Sequence, residues 1–243
     1  MERSTSPRQL VGVVLAGGYG TRLFGLKGGS KALFILNGRP LIDYSLASIR
    51  HAGVTEIAIV VRETDNELRS TYPHCVQIQE TGVGTLPAVL AAATYAANKG
   101  ADAIISSCDL VCPLPAVSAL VEGASEHPDW LATFGVTPIA NDQSPIWVHS
   151  DSSGRITNYG KGVDPSKQAF ASIRFATLGF LELMRSTSKQ LSGDVDTDTK
   201  LMRHLIVNER VTAGAVDIGP ALDVDDEVDA KIAENISQSF RGV

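Results

Sequence analysis

Leu10-Val11-Gly12-Val13-Val14-Leu15 runs straight into Ala16-Gly17-Gly18-Tyr19-Gly20-Thr21-Arg22. The first six residues form a continuous apolar run of strand length, the pattern of a strand buried on both faces. The glycines that follow let a backbone approach a polyphosphate and aim its N–H groups at the oxygens. The loop lacks the Gly-Lys-Ser/Thr ending of a P-loop. It also lacks the immediate helix of a dinucleotide fingerprint, because Gly25, Gly28 and Gly29 keep 24–30 loop-like. Arg22 and Lys31 place two cations on this excursion, suited to folding over phosphates.

Outward from the loop, strand-like and helix-like segments alternate. Pro40 opens a helix whose apolar face is Leu41, Ile42, Tyr44, Leu46 and Ile49, and Gly53 ends it. Strands are predicted at Glu56–Val61, Cys75–Gln79 and Ala103–Ser107, with helices at Leu86–Asn98 and Pro115–Glu126. This alternation implies a parallel sheet with right-handed crossovers. From Trp130 the pattern changes to short strands: Trp130–Val136, Ser144–His149, Arg155–Tyr159 and Ile173–Leu181. Helices return at Leu181–Lys189, Lys200–Asn208 and Asp226–Ser237, with a strand at Val211–Asp217 between them. The expected fold class is α/β, with a mainly parallel mixed sheet and an antiparallel elaboration. Residues 1–9 read as a flexible leader and 10–243 as one domain.

The chain has 243 residues, 44% apolar and 20% charged, with a formal net charge of -6. An acidic chain is a poor general ligand for nucleic acid or anionic membrane, since a phosphate backbone rewards dense Lys and Arg. The apolar runs are too short to span a bilayer, and the start carries no secretory pattern, so a cytoplasmic enzyme is expected. Cys75, Cys108 and Cys112 are too few for a disulfide scaffold. No His or further Cys completes a zinc site around Cys108 and Cys112, and the three read as buried thiols.

Two acidic features remain. Asp109 follows the end of a strand, the edge where open α/β sheets bind ligands. A carboxylate there can hold Mg²⁺ and leave other positions to water and phosphate. Asp223-Val224-Asp225-Asp226 precedes the last helix. Asp226 serves as its cap, leaving two carboxylates beyond what a cap requires.

In order along the chain, Leu15-Ala16-Gly17-Gly18-x-Gly20-Thr21-Arg22, Ser30-Lys31-Ala32-Leu33 and Gly38-Arg39-Pro40-Leu41-Ile42 resemble the signature of nucleotidyltransferases that activate sugar 1-phosphates. Gln79 with Gly84-Thr85 resembles that family's base-reading segment. Ser107-Cys108-Asp109 and Leu222-Asp223-Val224-Asp225 resemble its two metal positions, Asp225 aligning better than Asp223. The stretch Gly154–Gly162, which contains Lys161, resembles inositol-1-phosphate cytidylyltransferases. Thr177-Leu178-Gly179-Phe180 stands where those have Asp-Thr-Gly, and Leu110 follows Asp109 where they often have His.

The resemblance implies a three-layer Rossmann-like fold and a Mg²⁺-dependent transfer from a nucleoside triphosphate, CTP favoured, to a phosphorylated polyol or sugar. Hexose 1-phosphates, phosphocholine and phosphonates are the alternative acceptors. Leu15, Ala16, Gly17, Gly18, Gly20, Thr21, Gln79, Gly84 and Thr85 would bind the nucleotide. Arg22, Lys31 and Asp109 would act at the phosphates, Asp109 and Asp225 would hold Mg²⁺, and Lys161, Thr177 and Gly179 would meet the acceptor. A homodimer is compatible with this reading. His51, His74, His127, His149 and His204 lie outside every motif, as suits a phosphate nucleophile that needs no general base. A glycosyltransferase is less suited to the chain, because its Asp-x-Asp would sit mid-chain. A nucleotide sensor would not need Lys31, Asp109 and Asp225 together.

Overall fold

The computed structural model describes residues 9–18, 22–23, 29–80, 82, 84–138, 145–191 and 195–240. Residues 1–8 of the expected leader at 1–9, and the loop residues Tyr19, Gly20, Thr21 and 24–28, lie outside the described residues. In chain order the strands are β1 (Leu10–Leu15), β2 (Ile35–Leu36), β3 (Arg39–Pro40), β4 (Ile57–Val61), β5 (Val76–Gln79), β6 (Asp102–Ser107) and β7 (Leu110–Val111). Then follow β8 (Ala132–Thr137), β9 (Trp147–Ser150), β10 (Ile156–Gly160), β11 (Ala169–Ala176), β12 (Ala213–Asp217) and β13 (Leu222–Asp223). The helices are α1 (Leu41–His51), α2 (Asn66–Thr71), α3 (Thr85–Asn98), α4 (Ala116–Glu126), α5 (Leu178–Gln190), α6 (Asp198–Arg203) and α7 (Glu227–Ile236).

The apolar run that opens the chain becomes β1, at the centre of the main sheet. It is parallel to β4 on one side and β6 on the other, and β5 extends the β4 edge in parallel. β11 then joins β6 antiparallel. The other edge of β11 takes β8, which carries β12 in parallel, and touches β9, which carries β10 antiparallel. The sheet is therefore mixed, with its parallel half at the glycine loop and its antiparallel half beyond Asp109.

Two apolar layers cover the faces. Leu86, Val89, Phe180, Met184 and Leu205 pack on one face with Val11, Val13 and Phe134. Ile42, Leu46, Ile49, Val117 and Leu120 pack on the other with Val14 and Ile59. A third cluster, built from Leu23, Tyr44, Val111, Leu222 and Val224, fastens the C-terminal segment beneath α1. The three cysteines are buried and free, as expected. Burial pushes the Cys108 thiol well above its ordinary range, which suits an inert core residue.

The structure departs from the sequence reading most plainly at a strand end and at an added helix. The run Ile173–Leu181 is not one strand: β11 stops at Ala176, and α5 starts at Leu178. Thr177 ends the strand by capping the helix, its Oγ1 accepting from the Phe180 N–H at 3.3 Å. Helix α2 was not expected. It is nucleated by Asp65, whose Oδ1 accepts from the Leu68 N–H at 3.2 Å.

One charge is built into the core. Arg174 of β11 is 3% exposed, donates to both carboxylate oxygens of Asp198, and lies over the rings of Phe134 and Phe170 at 5.5 and 5.4 Å. Arg174→Leu would leave Asp198 buried without its cation and is expected to cost about 3–5 kcal/mol in urea denaturation. The double change with Asp198→Leu should recover most of that loss. A double variant no more stable than the single one would show that the pair is not the source of the cost.

Candidate active site

The site lies where the carboxyl ends of β1 and β6 meet the C-terminal segment. The end of β1 is fixed by two backbone bonds, Ala16 N–H to the Val60 carbonyl at 2.8 Å and Cys108 N–H to the Leu15 carbonyl at 3.0 Å. After β6 the chain turns at Cys108-Asp109 into β7, and β7 pairs antiparallel with β13. That two-strand ribbon carries the second acidic segment to the first: the Val224 N–H donates to the Asp109 carbonyl at 3.0 Å. Asp226 then caps α7 as expected, accepting from the N–H groups of Val228 and Asp229 at 2.8 and 3.0 Å.

Lys31 occupies the centre. Its side chain is 8% exposed, and its Nζ donates to Asp109 Oδ2 and, at 2.5 Å, to Asp225 Oδ1. Burial opposes the charge on Lys31. The Asp109 carboxylate, followed by Asp225, outweighs that and holds the ammonium above the ordinary lysine range. Burial would likewise raise the Asp109 carboxyl, but Lys31 and the Ser107 hydroxyl keep it below the usual carboxylate range.

Asp223 is a third carboxylate in the same place. Its two oxygens each accept a hydroxyl, Ser107 Oγ at 3.2 Å and Ser172 Oγ. Burial and the neighbouring Asp109 charge push it up to about 7. Ser172 reaches it because its backbone is left-handed, with φ of 49°, where the register of β11 shifts against β8. A non-glycine residue in that conformation inside a strand is strained and is kept by its surroundings.

These groups border a cavity of 330 Å³, within the range of small-molecule sites. Arg22, Thr85, Asp109, Asp223, Asp225 and Lys161 all line it. Arg22 is exposed, while the adjacent Leu23 is fully buried and anchors it. Lys161 is exposed on the turn after β10. Arg203 holds that turn from behind, donating to Asn158 Oδ1 at 3.1 Å and to the Tyr159 carbonyl at 3.0 Å.

Other expected residues lie elsewhere. Leu15, Ala16, Gly17 and Gly18 lead from β1 toward Lys31, whose N–H meets the Gly18 carbonyl at 3.5 Å. Gly84 caps α3 with φ of 96°. Gln79 is exposed and lines a separate, largely apolar groove with Val76, Leu86 and Pro87. Thr177 and Gly179 stand beside Asp102, the first residue of β6, whose Oδ1 accepts from the Leu178 N–H at 2.7 Å. That is the opposite end of β6 from Asp109, about 17 Å away by strand rise, and neither residue lines the cavity. The cavity wall from β11 is instead Ala169, Phe170, Ala171 and Ser172. A small polar residue interrupting an apolar strand was the available sign of Ser172.

Among the described residues, no group of three or more His, Cys, Asp or Glu is arranged to hold a metal ion. The donor set still fits a hard cation. Asp109 and Asp225 offer oxygens to the same ammonium, and Asp223 lies near enough to feel the charges of both. Mg²⁺ characteristically takes one or two carboxylates and completes its shell with water and phosphate.

The family profile of the MobA-like NTP transferase domain matches residues 12–159, which spans β1 through most of β10. The chain belongs to the MobA-like NTP transferase domain family. It shares 31% identity over 138 residues with the bifunctional protein GlmU of Xanthobacter autotrophicus, 55% of this chain and 30% of that protein. It shares 32% over 84 residues with a probable molybdenum cofactor guanylyltransferase of Thermococcus kodakarensis, 34% of this chain and 40% of that one. The matched segments thus span well under half of those relatives. Two solved structures have the same fold. The inositol-1-phosphate CTP transferase of T. maritima gives a TM-score of 0.77 at 18% identity, covering 98% of both chains. A putative glucose-1-phosphate thymidylyltransferase of Bacillus anthracis gives 0.75 at 14%, covering 94% and 95%. The NTP transferase match covers the glycine loop, Lys31 and Asp109, whereas Lys161, Ser172, Asp223 and Asp225 lie beyond it. Among the described residues, no helix is long and apolar enough to cross a membrane.

Proposed function

We propose that this NTP transferase moves a nucleoside monophosphate from a triphosphate, CTP first, to a phosphorylated polyol or sugar of the inositol-1-phosphate kind. One observation carries the reading. Asp109 and Asp225, both bonded to Lys31, line one cavity together with Arg22, Thr85 and Lys161. Two cations on the wall, Arg22 and Lys161, suit two phosphate-bearing substrates. The fold shared with an inositol-1-phosphate CTP transferase supports the choice of CTP and a polyol phosphate as first substrates to try.

In this reading an acceptor phosphate oxygen attacks the α-phosphorus. The bond from that phosphorus to the β-phosphate oxygen breaks, and pyrophosphate leaves. A phosphate monoester is already largely dianionic near neutral pH, its second pKa being about 6. No general base is therefore required, and catalysis is positioning plus charge neutralisation. Arg22 holds the β- and γ-phosphates, Lys31 meets the α-phosphate, and Lys161 holds the acceptor phosphate. Asp109 and Asp225 would hold Mg²⁺, with Asp223 alongside. Mg²⁺ supplies neutralisation of the charge that builds on the phosphate oxygens.

The test is a panel. CTP, Mg²⁺ and one acceptor at a time are incubated with the protein: inositol 1-phosphate, a hexose 1-phosphate, phosphocholine or a phosphonate. Products are identified by mass spectrometry. A cytidine diphospho product with inositol 1-phosphate is expected. Transfer to another acceptor alone would overturn the polyol assignment.

A further inference from the structure

The end of β5 places a carboxylate against the glycine loop. Glu80 follows β5 directly, and its N–H extends the ladder to the Val61 carbonyl at 2.8 Å. A Cβ added to Gly17 would stand 1.9 Å from Glu80 Oε2 and 3.2 Å from Oε1, so the carboxylate lies on the bare face of Gly17. On the next residue, a Cβ added to Gly18 would stand 3.9 Å from Lys31 Cδ. Gly17-Gly18 is therefore a short platform with Glu80 at one end and Lys31 at the other.

Glu80 is half-buried, and among the described residues its side chain meets no hydrogen-bond donor. Burial raises its carboxyl above the ordinary range, against a weaker pull from Arg62. A partly desolvated carboxylate without a donor is satisfied by an N–H group. Gln79 precedes it and lines the apolar groove beside Leu86 and Pro87, which Glu80 does not line.

A nucleotide with its phosphates at Lys31, laid along the glycine platform, brings its base to Glu80. We propose that Glu80 selects the base, accepting the exocyclic amine of cytosine and rejecting the carbonyl that uracil and thymine carry at that ring position. Cytosine presents an N–H donor there and uracil a carbonyl acceptor. The carboxylate, which can only accept, pairs with the first and is set against the second. This assignment rests on the nucleotide-transfer reading of the site, and it adds the rejection of UTP and dTTP.

The test is titration calorimetry of CTP and UTP with Mg²⁺ and no acceptor, on wild type, Glu80→Gln and Glu80→Asp. Circular dichroism serves as the folding check. Wild type should bind CTP at least about tenfold more tightly than UTP, the scale set by one mispaired polar contact. Glu80→Gln, whose amide can donate to a carbonyl, should bring the ratio to one or below. Glu80→Asp keeps an acceptor and should keep the preference for CTP. A wild-type preference for UTP, or a ratio unmoved by Glu80→Gln, overturns the assignment and leaves the transfer reading standing. If wild type binds neither triphosphate, the choice of CTP falls and this assignment falls with it.

Discussion

Asp109→Asn is expected to lower turnover by about 10²–10³-fold, about 2.7–4 kcal/mol of transition-state stabilisation. The substitution keeps the size of the side chain and removes its charge. The backbone bond from Val224 to the Asp109 carbonyl is untouched, so the β7–β13 ribbon should stay paired. Stability will not be wholly spared, because Asp109 is one of two carboxylates on a buried lysine. Asp225 still holds Lys31 in the variant. The expected loss is therefore about 1–3 kcal/mol, the cost of one weakened charged hydrogen bond. Pyrophosphate release and thermal unfolding measure the two effects separately. Turnover near that of wild type would remove Asp109 from the chemistry. A loss of activity that only tracks unfolding would reduce it to a structural anchor.

Lys31→Ala should have two effects of opposite sign. Transfer should fall by a similar factor, since the cation proposed for the α-phosphate is gone. Mn²⁺ binding to the nucleotide-free protein should tighten at least tenfold, about 1.4 kcal/mol. The reason is geometric: Nζ sits between Asp109 and Asp225 and neutralises both. Without it, those two carboxylates and the nearby Asp223 repel one another in a partly desolvated place, and a divalent cation relieves that. Without metal the variant should lose about 3 kcal/mol, and added Mn²⁺ should restore part of it by linkage. Mn²⁺ binding that is unchanged or weaker would mean that the lysine does not occupy the metal position. Calorimetry with Mn²⁺ alone decides this without any turnover assay.

The central strands were legible because each is a short apolar run bounded by a turn, as in Leu10–Leu15 and Ile57–Val61. The reading failed where apolar residues cross a boundary. Ile173 to Leu181 has no polar break strong enough to show that Thr177 caps a helix. The β7–β13 ribbon, with two residues in each strand, has no periodicity to detect. That ribbon nevertheless brings Asp223 and Asp225 to Asp109. The Lys31 contacts join residues 78 and 194 positions apart, a tertiary fact that spacing cannot express. Resemblance supplied the list of charged residues, and the structure added that Lys31, Asp109 and Asp225 form one ion cluster. It also set Thr177 and Gly179 at the far end of the sheet and brought Ser172 into the cavity wall. Each of those shifts follows from where β11 ends and where its backbone turns left-handed.

The central claim is that the cavity over Lys31, Asp109 and Asp225 joins a nucleotide to a phosphorylated acceptor. The most direct test is pyrophosphate release with CTP, Mg²⁺ and inositol 1-phosphate, run beside reactions lacking one component. Pyrophosphate equimolar with a cytidine diphospho product, and only in the complete mixture, is the predicted result. Absence of pyrophosphate with every triphosphate and acceptor pair would contradict it.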